Sequence, residues 1–340
     1  MSSEVAPMAG KAAAAPGGPG ARPPNNSLLV RIATDRPLLL IFLIVVLIGA
    51  MAILEPDKFP TPANAAVVLL DTAQTGILAC GMMVLLIAGM FDLSIGGILG
   101  FSGIMAGLAA KYWGFPPILA FLVGCVWGLL LGSVNGVLVT RFRINALIAT
   151  LATASVYRGG LQLVSGAGVT NIGNGFTVFG QTQILGIYSP FWFMAIIVVL
   201  FVFLVGRTRY FRQAYYIGGN ARAAKLSGIS VDWTVFSFFA IMGLLSGLAG
   251  ALLASRLNTA VVLAGTGVEL KVITAVVLGG ASLSGGAGTI HGAFLGVLLM
   301  ALLQNAMIVA GISPFWQLIV VGIVLVVSVG LDQFGRARGR

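Results

Sequence analysis

The sequence predicts an all-α integral membrane protein with about ten transmembrane helices and with both termini in the cytoplasm. Three observations lead to this prediction. Of the 340 residues, 59% are hydrophobic and only 8% are charged, whereas a soluble domain carries about 25% charged residues. The mean hydropathy is +1.05. The apolar residues also fall into runs that approach the roughly 20 residues needed to cross a hydrocarbon core of about 30 Å.

Ten apolar runs are long enough, or nearly long enough, to be membrane spans. The eighth run is short and contains Lys271, so we expect it to be tilted, broken or re-entrant. The predicted spans are residues 38–54, 65–90, 93–110, 116–140, 145–164, 190–205, 232–255, 267–279, 290–310 and 314–331.

The distribution of Lys and Arg sets the orientation of these spans. With a cytosolic N-terminus, 14 of the 19 basic residues lie on the cytosolic side, whereas Lys58, Lys111 and Arg256 lie outside. Arg158 and Lys271 fall within predicted spans. Cytosolic flanks of membrane proteins are enriched in Lys and Arg. Deleting one weak span would move every later loop to the other side and largely remove this bias, so the bias supports the count.

The spans divide the chain into three regions. Residues 1–36 are rich in Ala, Pro and Gly and are predicted to be a disordered cytosolic tail rather than a cleaved signal peptide. Residues 37–335 form a polytopic membrane domain. Residues 336–340 form a basic cytosolic tail.

Composition also excludes several function classes. The net charge is +10, but the charges form short clusters between apolar runs, which is not the basic face of a nucleic-acid-binding protein. Cys80 and Cys125 both lie in apolar runs and indicate no disulfide framework. The single histidine, His291, leaves little room for metal or acid–base chemistry. We therefore predict no catalytic residue, no metal site and no cofactor.

Glycine recurs at a spacing of four residues. Gly124, Gly128, Gly132 and Gly136 form a stripe along the fourth predicted span. Small residues at this spacing let helix backbones approach closely. We interpret most such glycines as static packing, and a face that slides during a conformational cycle is the alternative.

Two Gly- and Ser-rich breaks interrupt the apolar pattern. Residues 90–97 read MFDLSIGG, and residues 279–288 read GGASLSGGAG. Non-helical backbone at membrane depth is tolerated only beside protein or a water-filled cavity, and broken helices often line transport pathways. Asp92 in an apolar context favours a functional role for the first break. For the second break, a functional role and a tight cytosolic turn fit equally well.

The segment 207–231 is too polar to span a membrane. Asn220 can cap a short helix over residues 221–226, and Gly228 can end it. This amphipathic helix would carry Arg222 and Lys225. It would either lie on anionic headgroups or dock into a cytosolic partner.

Four charged residues fall in or beside predicted spans: Asp71, Arg158, Glu269 and Lys271. We expect them to pair internally or to lie at a headgroup boundary, because charges within membranes usually face the bundle interior. Glu269 and Lys271 are two residues apart and would not face each other on a helix.

Three motifs follow one another along the chain. Residues 88–96 read AGMFDLSIG, residues 216–229 contain YIGGN and AAKLSGI, and residues 279–288 contain GGAS and GGAG and are followed by Asn305. They are similar to G-x-[IF]-D-L-S-[VI]-G, to A-I-G-G-N-x-x-A-A-x-x-S-G-I and to a third Gly-rich motif. Because the three motifs occur in this order, the chain resembles the permease family of ribose-type bacterial ABC sugar importers. The resemblance covers nearly the whole chain after the tail.

The resemblance implies a multi-pass subunit of the bacterial cytoplasmic (inner) membrane that moves a monosaccharide or related polyol by alternating access. It implies four partners, which are a cytosolic ATP-binding subunit, a periplasmic or lipid-anchored sugar-binding protein, a second permease subunit and the lipid bilayer. No nucleic acid is implied. The chain contains no G-x-x-x-x-G-K-[ST] motif, which agrees with an ATPase on a separate chain.

The resemblance also implies two groups of site residues. The ATPase-coupling segment would contain Gly218, Gly219, Asn220, Arg222, Ala223, Ala224, Lys225, Ser227 and Gly228. The pathway or signature residues would be Asp92, Leu93, Ser94, Gly96 and Asn305.

Two other function classes remain open on the residues alone. A secondary transporter would use Asp71, Glu269 or Asp92 as an ion or proton site, but would leave the cytosolic amphipathic segment unexplained. An intramembrane serine protease would use Ser102, in the sequence GFSG, with His291 as its base. The third and ninth spans would then have to place both groups at one depth.

Overall fold

The computed structural model describes residues 35–173 and 175–338 and is built almost entirely of helices. The predicted disordered tail lies largely outside these residues. The helices are α1 (Arg36–Leu54), α2 (Pro62–Ile87), α3 (Ile95–Lys111), α4 (Pro117–Thr140), α5 (Ala146–Ser165), α6 (Val178–Gln181), α7 (Ser189–Arg207), α8 (Arg209–Leu226), α9 (Val231–Leu257), α10 (Val268–Leu278), α11 (Ile290–Val309) and α12 (Pro314–Arg338). The strands are β1 (Val169–Thr170), β2 (Gln183–Ile184), β3 (Ile187–Tyr188) and β4 (Thr259–Ala260).

Each of the ten predicted spans coincides with one of these helices. Six of them, α1, α2, α4, α7, α9 and α11, are long and apolar enough to cross a membrane. Helix α3 and residues 315–330 of α12 are shorter apolar helices. Helix α10 has 11 residues, which rise only about 16 Å. The chain is therefore an all-α, multi-pass membrane protein.

The centre of the bundle is formed by α2 and α9. In their most apolar stretches, 78% and 72% of the residues are buried, against 17% in α1. Helix α1 packs at the edge, where Leu40, Ile44 and Met51 form a separate apolar cluster with Leu299 and Leu302 of α11. The first span is thus peripheral, and its exposed apolar side chains suit contact with lipid.

The predicted glycine stripe of α4 packs against α9. A Cβ atom on Gly128 would overlap the carbonyl oxygen of Gly243, and a Cβ on Gly243 would overlap the carbonyl oxygen of Gly128. A Cβ on Gly247 would lie 2.6 Å from the carbonyl oxygen of Gly124. The two backbones are in direct contact, which confirms the interpretation of these glycines as close helix packing.

Two small antiparallel ribbons lie in the connections between the long helices. Strand β1 pairs with β4 in the register Val169↔Ala260, and β2 pairs with β3 in the register Gln183↔Tyr188. The first ribbon joins the α5–α6 connection to the α9–α10 connection, so the two halves of the chain are tied together there.

The connection between α9 and α10 folds back along α3. Ala260 contacts Gly107 near the end of α3, and a Cβ on Gly100 would lie 2.9 Å from the carbonyl oxygen of Ala264. A Cβ on Gly96 would overlap the carbonyl oxygen of Gly265. The eighth predicted span, residues 267–279, coincides with the short helix α10, and this non-helical segment precedes it.

Candidate functional site

The three sequence motifs meet at the end of α2. The backbone N–H of Gly286 donates to the carbonyl oxygen of Ile87 at 2.8 Å. A Cβ on Gly218 would overlap that same oxygen, and a Cβ on Gly285 would lie 3.0 Å from the Cα atoms of both Gly218 and Gly89. We call these five residues the glycine junction. Three chain segments touch here through backbone alone, because no side chain fits between them.

Gly89 ends α2 in a conformation that favours glycine. Its φ is +75°, its N–H donates to the carbonyl oxygen of Leu86, and the N–H of Met90 donates to that of Leu85. These two bonds form a Schellman ending. The glycine of the first motif therefore stops α2 at the point where the other two motifs arrive.

A tyrosine fastens the second motif to the third. The hydroxyl of Tyr215, on α8, donates to the carbonyl oxygen of Gly288 at 2.8 Å. Burial raises the pKa of the Tyr215 phenol and outweighs the opposite effect of Arg212. The phenol thus stays protonated and keeps its role as donor.

The coupling segment contains the helix that the sequence predicts. Within α8 the backbone of Asn220 is non-helical, with φ −161° and ψ 100°, and its side-chain oxygen accepts from the N–H of Ala223 at 3.0 Å. Asn220 is therefore an N-cap, as predicted. The preceding helical part of α8, from Arg209, was not predicted from the sequence.

The end of this helix also agrees with the prediction. Gly228 has φ +85°. Its N–H donates to the carbonyl oxygen of Lys225, and the N–H of Ile229 donates to that of Ala224. This is a second Schellman ending, and it fixes the direction in which the chain enters α9.

The two glycines of the coupling segment have opposite surroundings. Gly218 is packed in the glycine junction, whereas a Cβ on Gly219 would meet no atom within 4 Å. Gly219 and Asn220 border an open groove of about 400 Å³. Arg222 and Lys225 are exposed, and Leu226 is 90% exposed. One face of the segment contacts the bundle, and the other is available to a partner.

The Asp92 carboxylate is the centre of a buried polar network. One carboxylate oxygen accepts from the N–H and the hydroxyl of Ser94 at 2.8 and 2.6 Å. The side-chain amide of Asn135, on α4, donates to the Ser94 hydroxyl at 2.7 Å. All three residues are fully buried. The signature Asp and Ser therefore fix the start of α3 against α4.

The same network reaches α5. The N–H of Leu93 donates to the Thr150 hydroxyl at 3.1 Å, and the Tyr157 hydroxyl contacts the amide oxygen of Asn135 at 3.2 Å. Gly96 lies against Gly265. Four of the five signature residues thus hold α3, α4, α5 and the α9–α10 connection in one arrangement. Sequence reasoning did not identify Asn135, Thr150 and Tyr157 as their partners.

A comparison with known protein families decides the assignment. Residues 64–329 match the family described as the permease component of branched-chain amino acid transport systems. The chain belongs to this permease family. It is a transport component and not an enzyme.

Curated relatives of the permease cover most of its length. It is 42% identical over 302 residues to the ribose import permease protein RbsC of Bacillus subtilis, covering 87% of this chain and 92% of that protein. It is 36% identical to the L-arabinose ABC transporter permease protein AraH of Azospirillum brasilense, covering 88% of each chain. Identity to RbsC of Escherichia coli K12 is 35%, with 85% and 91% covered. No solved structure gives a significant match.

Asn305, the fifth signature residue, lies far from the other four. Its side chain exchanges two hydrogen bonds with Asn64 in the first turn of α2, at 2.7 and 3.0 Å. Asn64 and Ile87 are at opposite ends of α2, about 34 Å apart at 1.5 Å per residue. The signature residues of the permease therefore form two separate clusters.

Asp71 and Lys271 form an ion pair between α2 and α10. The Lys271 ammonium donates to both carboxylate oxygens at 2.7 Å. The Lys271 side chain is only 12% exposed, whereas that of Asp71 is 40% exposed. This confirms the expected internal pairing for these two residues.

Arg158 and Glu269 both lie beside Gly96 of α3. A Cβ on Gly96 would lie 2.6 Å from Glu269 Oε2 and 3.2 Å from Arg158 Nη2. Arg158 also donates from Nη1 to the carbonyl oxygen of Ala264 at 2.9 Å. Lys271 pairs with Asp71, whereas Glu269 lies beside Gly96, so the two side chains have different neighbours, as their spacing predicts.

The geometry does not favour the two alternative functions. The side chains of Asp71, Asp92 and Glu269 belong to three different clusters, and residues 35–173 and 175–338 contain no group of three potential metal ligands. The Ser102 hydroxyl is buried without a hydrogen-bond partner, and His291 is exposed in the first turn of α11. A nucleophile and base pair is therefore not assembled.

Proposed function

We propose that the chain is the membrane-spanning permease subunit of an ATP-driven importer for a monosaccharide. Relatives named for ribose and for arabinose make pentoses the first candidates. The protein would lie in the bacterial inner membrane and move the sugar by alternating access.

The proposed topology has ten crossings and both termini in the cytoplasm. Six helices meet the length and hydropathy expected of a span, and the Lys and Arg bias supports the other four. Residues 37–335 then form the permease domain, with residues 1–36 and 336–340 as cytosolic tails. Helix α10 and the non-helical segment before it make one of the ten crossings together.

The glycine junction is the observation that carries the proposed coupling mechanism. The exposed face of residues 207–231, with Gly219, Arg222 and Lys225, would receive the ATPase. The buried face touches the end of α2 through backbone contacts. A displacement of the coupling segment would therefore pass directly to α2, without a flexible side chain between them.

The remaining partners follow from the way such transporters work. Permease components of ABC importers act with an ATPase and a substrate-binding protein. We propose a sugar-binding protein on the outer side and, in the membrane, a second permease subunit that completes a homodimer or a heterodimer. The signature residues Asp92, Leu93, Ser94 and Gly96 would hold the pathway helices in register, and Asn305 would hold the outer end of α2.

Reconstitution tests this function. The permease is placed in liposomes with a partner ATPase and a sugar-binding protein, and uptake of labelled ribose and arabinose is measured. We expect uptake that requires ATP on the ATPase side, stops when the ATPase is inactivated and persists with a proton ionophore. Uptake by the permease alone, or uptake driven by a proton gradient without ATP, would instead establish a secondary transporter.

A further inference from the structure

A pocket of about 570 Å³ lies beside the first turns of α2. Its α2 wall consists of Ala63, Ala66, Val67 and Leu70, which recur at the spacing of one helix face. A second pocket of about 180 Å³ shares Ala66 and Leu70 with it and is lined mainly by apolar side chains. We call the two together the α2 pocket. The volume of the larger part falls in the range of small-molecule sites, about 300–1,000 Å³.

The other side chains around the larger part are mostly polar. Gln181, Gln183 and Tyr188 supply amide and hydroxyl groups, and Arg256, in the last turn of α9, supplies a positive charge. The side-chain amide of Gln181 donates to the carbonyl oxygen of Arg256 at 2.9 Å, which holds these two residues together. The α2 pocket therefore combines an apolar helix face with hydrogen-bonding groups and a cation.

The charge of Arg256 is not balanced within the part of the chain that the structure describes. Arg256 is half-buried, and the ion pairs among the described residues join other side chains. Asp71, next to Leu70 in the sequence, pairs with Lys271. Of the described residues that line the α2 pocket, none is acidic. Because a guanidinium group binds phosphate groups through two parallel hydrogen bonds, this charge favours an anionic ligand.

The α2 pocket lies at the depth of lipid headgroups. Helix α2 has 26 residues and rises about 39 Å, which exceeds the roughly 30 Å of a hydrocarbon core. Its first turn, with Ala63, therefore reaches the headgroup region, which is the outer one in the topology proposed above. A ligand in this pocket would have its polar end among headgroups and its apolar end in hydrocarbon.

The hairpin of β2 and β3 borders the α2 pocket and indicates contact with lipid. Gly186, at its turn, lines the smaller part, while Ile184 is 48% exposed and Leu185 is 87% exposed. The indole N–H of Trp192, near the start of α7, donates to the carbonyl oxygen of Ile184 at 3.1 Å. Trp is enriched where a membrane meets water. Two exposed apolar side chains beside such a Trp favour lipid as the surroundings of this pocket.

We propose that the α2 pocket binds one anionic phospholipid, with its phosphate at Arg256 and an acyl chain along Ala66 and Leu70. The hydroxyls of a glycerol headgroup can exchange hydrogen bonds with Gln181 and Gln183. The described residues offer no carboxylate there for the ammonium of a zwitterionic headgroup, so phosphatidylglycerol is the expected ligand. This site goes beyond the proposed function, because a lipid can bind without any step of sugar transport.

Lipid titration of the purified full-length permease tests the site. Phosphatidylglycerol is added in detergent, bound lipids are counted by native mass spectrometry, and the rise in unfolding temperature is followed, because a ligand of the folded state stabilises it. We expect Arg256→Gln to weaken binding about tenfold or more, as the loss of a charge-assisted hydrogen bond does. Arg256→Lys should retain part of the affinity. Lys58→Gln is the control, since Lys58 is exposed and pairs with Glu55 outside the pocket.

A second variant tests the apolar wall. Ala63 is exposed, so the ring in Ala63→Phe should fill part of the pocket and weaken binding, while the unfolding temperature without lipid stays unchanged. Ala152→Phe is the matched control, because Ala152 is an exposed helical residue of α5, away from the pocket.

Several results would overturn the proposal. One is binding of phosphatidylglycerol that is unchanged in Arg256→Gln or in a folded Ala63→Phe variant. Another is equal affinity for diacylglycerol, which lacks the phosphate, or for glycerol phosphate, which lacks the acyl chains. If Arg256→Gln weakened only the binding of a sugar-binding protein, Arg256 would belong to that contact instead. None of these lipid measurements involves ATP or uptake, so their outcome is independent of the proposed function.

Discussion

Asp92 and Asp71 are held by different kinds of partner. The Asp92 carboxylate is fully buried and accepts hydrogen bonds from neutral groups on α3 and α4. The Asp71 carboxylate is partly exposed and pairs with one ammonium group, that of Lys271. Asp92 therefore organises several helices, whereas Asp71 neutralises one cation.

Replacing Asp92 should destabilise the permease. In Asp92→Ala, Ser94 and Asn135 lose an acceptor in a buried site, and each unsatisfied group costs about 1–3 kcal/mol. We expect a clear drop in the thermal unfolding temperature in detergent, with no comparable drop for Asp57→Ala, whose side chain is exposed.

Uptake should fall further in Asp92→Ala than in Asp71→Ala. The reverse order would contradict the organising role of Asp92.

The Asp71–Lys271 pair can be examined by a double-mutant cycle. Lys271→Met removes the ammonium, and Asp71→Asn leaves that ammonium without a counter-charge. We expect each single change to lower stability and the double variant to lose less than the sum, by about 0.5–3 kcal/mol. Simple additivity in thermal or denaturant unfolding would show that the ion pair contributes nothing measurable.

At the scale of elements, close packing between α4 and α9 depends on the lack of side chains. The glycines of the two helices face each other along three turns, with backbone carbonyl oxygens where Cβ atoms would stand. The helices cannot accept a methyl group without moving apart.

Gly243→Ala should therefore destabilise the bundle, since its Cβ would overlap the backbone of α4. Gly49→Ala in α1 is the control, because a Cβ there meets no atom within 4 Å. The expected result is a lower unfolding temperature for Gly243→Ala only. Equal temperatures for both variants would mean that α4 and α9 are packed less closely than described.

The cap of the coupling helix gives a prediction about partner binding. Asn220→Ala removes the acceptor for the Ala223 N–H, at a cost of about 1 kcal/mol, which corresponds to roughly fivefold in an equilibrium. We expect weaker ATPase binding by about this factor, measured by co-purification or titration. Asn220→Ser, which keeps a capping oxygen, should restore most of it. Unchanged binding in Asn220→Ala would argue against this helix as the docking element.

The helices, the glycine stripe and the Asn220 cap could be predicted because each depends on neighbouring residues along the chain. The partners across the fold could not. Asn64 and Asn305 are 241 residues apart, and neither has a local signal that names the other. The contact between the three motifs could not be predicted either. Segments that touch through their backbones show only glycine in the sequence, and glycine also occurs for many other reasons.

At the scale of the whole molecule, the glycine junction links α8 to the end of α2 in the helix bundle. Gly218 is buried in that junction, and its neighbour Gly219 is open. Of these two adjacent glycines, one therefore lies in the internal contact and the other lies on the exposed face that we propose for the ATPase.

Gly218→Ala should lower both the stability of the isolated permease and ATP-driven uptake, since its Cβ would overlap the Ile87 carbonyl oxygen. Gly219→Ala should leave the unfolding temperature of the isolated permease unchanged. Thermal unfolding of the two variants, followed by uptake measurements on Gly218→Ala, checks this. A Gly218→Ala variant that is as stable and active as the parent would refute a tight junction.

Helix α2 is secured at both of its ends. The side chain of Asn305 holds its first turn through two hydrogen bonds to the side-chain amide of Asn64. The backbone segments of the glycine junction pack around its last residue, Ile87. Nothing along its 26 residues interrupts the helix, so it has no hinge that would absorb a push. In the topology we propose, a displacement of the coupling segment at the inner surface would move α2 as one rigid body and so reach the outer surface.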